Sequence, residues 1–128
     1  MAWSYTTTKE LDGWVKSLDQ AERNEVAAML HALTRLGPSL GRPDADTLSG
    51  SNYANMKELR GRTSAAVLRI AFAFDAERIA RVLCGGNKKG VSQKAFYKKL
   101  IERADRLYKF HLETLAARKK KAKQNKKG

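Results

Sequence analysis

Residues 67–74 read VLRIAFAF, and their side chains alternate: Leu68, Ile70, Phe72 and Phe74 share one face, Val67, Arg69, Ala71 and Ala73 the other. A period of two is the signature of a strand, here with one strongly apolar face. Upstream, Met56-Lys57-Glu58-Leu59-Arg60 reads as a partner strand. Downstream, Asp75-Ala76-Glu77-Arg78 is turn-like, and Ile79–Cys84 supplies the return strand of a hairpin. The glycine-rich run 85–90, GGNKKG, then reads as a loop.

On both sides of this block the period changes to that of a helix. Leu11, Trp14, Val15 and Leu18 fall on one helix face, and Val26, Met29, Leu30, Leu33 and Leu36 on another. Thr7 with Glu10, and Ser17 with Gln20, have the spacing of capping boxes. A tight link at residues 17–19 makes the two helices a hairpin, and Gly37-Pro38 stops the second. Residues 2–6 have the composition of a short strand. Residues 37–53 read as a connector that holds both prolines. Ser92 can cap a final helix whose face is Phe96, Tyr97, Leu100, Ile101, Ala104, Leu107, Tyr108 and Leu112. The order β-α-α-β-β-β-α predicts an α+β domain with an antiparallel sheet.

The chain has 128 residues and a net charge of +13, so one domain with a polyanion among its partners is expected. The charge is uneven. Residues 1–50 carry −2, residues 51–117 carry +8, and residues 118–128 carry +7. The division expected is a domain over 1–117 and a flexible basic tail over 118–128, which lacks apolar residues to bury. That tail reads either as a solvated extension or as an arm that attracts RNA. No run is long and apolar enough for a membrane span, and the N-terminus lacks the basic start and apolar stretch of a signal peptide. A cytoplasmic location without membrane contact is the expectation.

Several chemistries lack their residues. The single cysteine, Cys84, excludes an intrachain disulfide and a paired-cysteine zinc site, and reads as a buried small hydrophobe. His31 and His111 stand far apart on predicted helices, so no metal site and no cofactor are expected. Gly85-Gly86 lacks the spacing of a phosphate loop. Basic and aromatic groups remain. Lys57, Arg60, Arg62, Arg69, Arg81, Lys88, Lys89 and Lys94 lie on the predicted strands and the loop after them. Arg69 sits among small side chains, which leave room for a shallow ligand groove; a structural pairing with Glu58 or Glu77 is the alternative. RNA is the substrate such a set can cleave without a metal, because its 2′-OH attacks the neighbouring phosphate internally. The protein then needs only to align groups, move protons and neutralise the phosphorane. Simple RNA binding fits the composition equally well.

These segments resemble the RelE/ParE-like toxin superfamily of bacterial toxin–antitoxin systems, and most of all its HigB-like, phage-derived branch. The resemblance is carried by Leu40-Gly41-Arg42-Pro43, by 56–60, by 67–75, by Gly86-Asn87-Lys88-Lys89 and by the helix running to Ala104-Asp105-Arg106-Leu107-Tyr108. It implies a RelE-like, microbial-ribonuclease-like fold: two N-terminal helices packed on a twisted antiparallel sheet, with a C-terminal helix. It implies a ribosome-dependent mRNA endoribonuclease acting in the A site by metal-independent 2′-OH attack, and so inhibiting translation. It implies a cognate helix-turn-helix antitoxin, through which operator DNA would be contacted indirectly. A gyrase-inhibiting toxin of the ParE-like type and a non-catalytic RNA- or ribosome-binding module are the rival readings. The catalytic set implied is Arg60, Arg69, Lys88, Lys89 and Tyr97. Lys57, Arg62, Arg81, Lys94, Arg118, Lys119, Lys120 and Lys121 are expected to bind RNA. Glu58 stands where RelE-type enzymes often place a lysine.

Overall fold

A computed structural model describes residues 2–126. Its elements are β1 (Tyr5–Thr7), α1 (Lys9–Lys16), α2 (Gln20–Leu36), a 3-10 turn at Gly37–Ser39, β2 (Ala45–Thr47), β3 (Lys57–Arg62), β4 (Val67–Phe74), β5 (Ala80–Asn87) and α3 (Gln93–Lys126). The five strands form one sheet in the order β1-β5-β4-β3-β2. Strands β3 to β5 are antiparallel, as expected; β2 adds an antiparallel edge beside β3 and β1 a parallel edge beside β5. The sheet is therefore mixed, with an antiparallel centre.

Each face of the sheet is covered. On one side Leu11, Val26, Met29 and Leu33 of the helical hairpin bury Leu59, Leu68, Ile70, Phe72 and Val82. On the other, Leu100, Ala104 and Tyr108 of α3 cover Ala71, Ala73, Leu83 and Cys84. The small side chains beside Arg69 thus form the seat of a helix, not the shallow open groove expected, because α3 needs close approach along that face. The pairing shifts between Ala71↔Cys84 and Phe72↔Val82, which leaves Leu83 as the extra residue of a bulge. Both Leu83 and Cys84 consequently join the α3 side. Burial pushes the Cys84 thiol up to about 12, which suits an inert core residue.

Several local expectations shift. The first strand starts at Tyr5, since Trp3 N–H donates to the Thr34 carbonyl of α2 instead of to a neighbouring strand. Thr8, not Thr7, caps α1: its hydroxyl accepts from Leu11 N–H and donates to the Leu83 carbonyl. The capping box of α2 is Asp19 with Glu22, not Ser17 with Gln20, because Ser17 turns back to the Trp14 carbonyl. Gly37, at φ +53°, ends α2 as expected. The connector hides β2, which pairs with Lys57–Leu59.

Two longer elements also depart from the reading. Strand β5 continues through Gly85 and Gly86, where a loop was expected. Trp14 and Phe96 press on those two backbones from opposite faces, and a methyl at either would clash with a ring. Helix α3 does not end at residue 117 but runs to Lys126. Lys, Arg, Ala and Gln all favour helix, and neither Gly nor Pro interrupts them before Gly128. Residues 116–124 are exposed throughout, so this stretch packs on nothing among the described residues. Among the described residues, no helix is long and apolar enough to cross a membrane.

Candidate active site

Alternation on β3 points Glu58, Arg60 and Arg62 to the α3 side, while Leu59 faces the helical hairpin. Arg60 lies directly across from Arg69 on β4. Two guanidinium groups would repel in that register, and Glu58 resolves the conflict. Its Oε1 lies 3.1 Å from Arg69 Nε and 3.3 Å from Arg60 Nε. The first turns of α3 bring Tyr97 over the same atom, and its hydroxyl donates to Glu58 Oε1 at 2.7 Å. Arg69 Nε also reaches the Tyr97 hydroxyl at 3.2 Å, and its Nη1 donates to the Leu68 carbonyl at 2.9 Å. Glu58 and Arg69 are both buried, at 3% and 7% exposure. A buried pair of this kind is held by geometry, because each charge would be costly alone.

Beyond β5, Asn87 Oδ1 accepts from Val67 N–H and Lys89 N–H, and fixes the path of the next turn. Lys88 then carries its ammonium over the Tyr97 ring, 5.5 Å from the centroid. Burial and the nearby Arg69 charge pull Lys88 below the ordinary lysine value, with Arg60 and Arg62 adding to the effect and Glu58 opposing it. Burial and the hydrogen bond donated to Glu58 raise the Tyr97 phenol. Tyr97 is therefore a proton-bearing donor at neutral pH. Glu58, Arg60, Lys94 and Tyr97 line a cleft of about 580 Å³, closed at one side by Asp46, Thr47, Leu48 and Ser49.

The expected site residues divide accordingly. Arg60, Arg69, Lys88 and Tyr97 come together, Lys94 joins them at the cleft, and Arg62 stands close by. Arg69 does not face an open groove; it takes up the alternative, the pairing with Glu58. Lys89 departs, with its ammonium 3.3 Å from the Ser64 carbonyl at the β3–β4 turn. Lys57 is half-buried on the opposite parity of β3. Arg81 belongs elsewhere: Asp75 at 2.6 Å and Glu77 at 3.1 Å bind it, with His111 completing the Asp75 shell at 2.9 Å. Arg118, Lys119, Lys120 and Lys121 sit far along α3. At about 1.5 Å per residue, Lys120 lies roughly 35 Å from Tyr97. His31 is exposed.

Two functional candidates escaped the sequence reading as such. Glu58 was visible as a pairing partner, and its i, i+2 relation to Arg60 was a signal that both share a face. Asp46, which holds Arg42 at 2.9 Å and Arg60 at 3.6 Å, lies on β2, whose three residues carry no strand signature. Among the described residues, no group of His, Cys, Asp and Glu could hold a metal ion.

Comparison with known proteins agrees with this architecture. Residues 13–109 match the family model described as phage derived protein Gp49-like. The candidate toxin HigB2 of Mycobacterium tuberculosis is 38% identical over 121 residues, which cover 94% of this chain but 60% of that protein's length. The candidate toxin HigB3 of the same organism is 38% identical over 96 residues, covering 75% of this chain and 82% of the relative. The crystal structure of the archaeal RelE–RelB complex from Pyrococcus horikoshii OT3 contains a chain that superposes with a TM-score of 0.52 at 14% identity, over 71% of this chain and all of the other. That likeness establishes the RelE-like fold.

Proposed function

The chain belongs to the Gp49-like family of phage-derived proteins, and from that premise we propose that it is the toxin of a toxin–antitoxin pair, an endoribonuclease that cuts mRNA on the ribosome without a metal ion. The observation that carries this reading is the Glu58 carboxylate. It lines the cleft, its Oε1 held by Tyr97, Arg69 and Arg60 at 2.7, 3.1 and 3.3 Å. A carboxylate so oriented suits a general base. In the proposed step Glu58 takes the proton of a 2′-OH as that oxygen bonds to the adjacent phosphorus. The bond from phosphorus to the 5′-oxygen breaks, and the Lys88 ammonium protonates the leaving oxygen. Products are a 2′,3′-cyclic phosphate and a 5′-OH.

Arg60 is half-exposed in the cleft and takes the phosphorane charge. Arg69 acts through Glu58, as a positioning residue. An antitoxin partner, the ribosomal A site, mRNA and a cytoplasmic setting belong to the same reading. The toxin names of the relatives support it, as does the fold shared with a chain solved in a RelE–RelB complex. The inward pairing of both guanidiniums favours the rival, a module that binds RNA without cutting it.

Glu58→Gln separates the two. Removing either charge of the buried Glu58–Arg69 pair leaves the other poorly paired, at a cost of about 3–5 kcal/mol, so folding of the variant is checked by circular dichroism and thermal unfolding before its activity is read. The glutamine keeps the shape and an acceptor for Tyr97. Expressed in cells with mRNA 5′ ends mapped, the parent chain should arrest growth and produce 5′-OH ends. Glu58→Gln should lose about 10²–10⁴ of the cleavage rate while binding ribosomes like the parent. Undiminished arrest without new 5′ ends would assign the chain to the binding module.

A further inference from the structure

The exposed end of α3 has a charge density that the cleft does not use. Between residues 118 and 123 stand Arg118, Lys119, Lys120, Lys121 and Lys123, and no acidic residue follows Glu113. In a helix these five charges occupy about 7.5 Å of axis, roughly one per 1.5 Å. A nucleic-acid duplex carries about one charge per 1.7 Å. The charges also surround the axis, since successive residues turn by about 100°. Between 116 and 126 no apolar side chain exceeds alanine. A helix that lies in a lipid surface needs an apolar face, and this one has none. Helical cations at a C-terminus are favoured by the helix dipole, which offsets part of their mutual repulsion.

We propose that residues 116–124 form a helical arm that lies along the phosphates of a ribosomal RNA duplex. Continuity of α3 sets its position: the arm starts from the same helix that carries Tyr97, yet its charges lie roughly 35 Å away. Message in the cleft and RNA on the arm are therefore separate contacts, joined by one rigid element. The choice of ribosomal RNA rests on the ribosomal reading proposed above; the contact with duplex phosphates rests on the helix alone.

The test uses the full chain and a variant carrying Arg118→Gln, Lys119→Gln, Lys120→Gln, Lys121→Gln and Lys123→Gln, with helix content checked by circular dichroism. Binding to ribosomes, to a synthetic RNA duplex, to a DNA duplex of the same sequence and to phosphatidylserine vesicles is measured across a salt series. One side of the arm can place about three charges on phosphates, each changing the logarithmic salt slope by about 0.9. Between 50 and 200 mM salt the parent should then lose roughly 40-fold more affinity than the variant, on ribosomes and on the RNA duplex alike. Equal slopes on ribosomes would overturn the proposal. So would a loss confined to DNA or to vesicles. Binding to the bare RNA duplex involves no cleavage, so failure of the cleavage reading is distinguishable from failure of the arm.

Discussion

Lys88 shows what a single residue gains from its neighbours. Lys88, partly desolvated and near Arg69, Arg60 and Arg62, gives up its proton more readily than a free lysine, although the Tyr97 ring beneath it favours the ammonium. A shift in that direction is what the proposed general acid needs. The sign follows directly: the acid works only while protonated, so cleavage should fall as pH rises through the lowered Lys88 value, before the ordinary lysine value near 10.5. Lys88→Arg keeps the charge over Tyr97 but binds its proton beyond any accessible pH. Single-turnover cleavage of ribosome-bound message should show an alkaline limb in the parent. The arginine variant should be slower at neutral pH and flat on the alkaline side. Identical profiles would remove Lys88 from proton transfer.

At the scale of elements, strands β3 and β4 were legible because alternation over Val67–Phe74 leaves one solution for which face is buried. The helical hairpin was legible for the same kind of reason. What the sequence concealed was close packing between elements. Gly85 and Gly86 have the composition of a loop, yet they extend β5 because Trp14 of α1 and Phe96 of α3 need bare backbone beneath them. Strand β2 and its Asp46 were hidden because three residues cannot show a period. Lys88 and Tyr97 could be named from the sequence, but their meeting over Glu58 depends on where α3 crosses the sheet. Gly85→Ala tests this account. Its methyl would fall within the Trp14 ring, so either α1 lifts or the strand bends. Such overpacking costs about 1–3 kcal/mol. Urea unfolding should show a lower midpoint with an unchanged slope, and a midpoint equal to the parent's would mean that α1 does not press on β5.

The whole molecule separates its charge from its stability. The core lies between the hairpin helices, the sheet and the part of α3 ending at Tyr108, which is 3% exposed. Half of the net charge lies beyond it, since a chain ending at Ala117 would carry +6 in place of +13. Positive self-repulsion opposes a compact state, so the extension contributes no packing and a small electrostatic strain. Exposed positions away from caps and cores change stability by about 0.5 kcal/mol at most. Removing residues 118–128 should therefore leave the melting temperature within about 2 °C of the parent at physiological salt, and raise it slightly at low salt, where repulsion is less screened. Leu115, half-buried, remains in the shortened chain and keeps the last turn of α3 seated. Calorimetry on the two chains across a salt series makes the measurement. A fall of more than about 5 °C would mean that the extension packs against the domain, and its cations would then be partly spent within the protein instead of being held out to a partner.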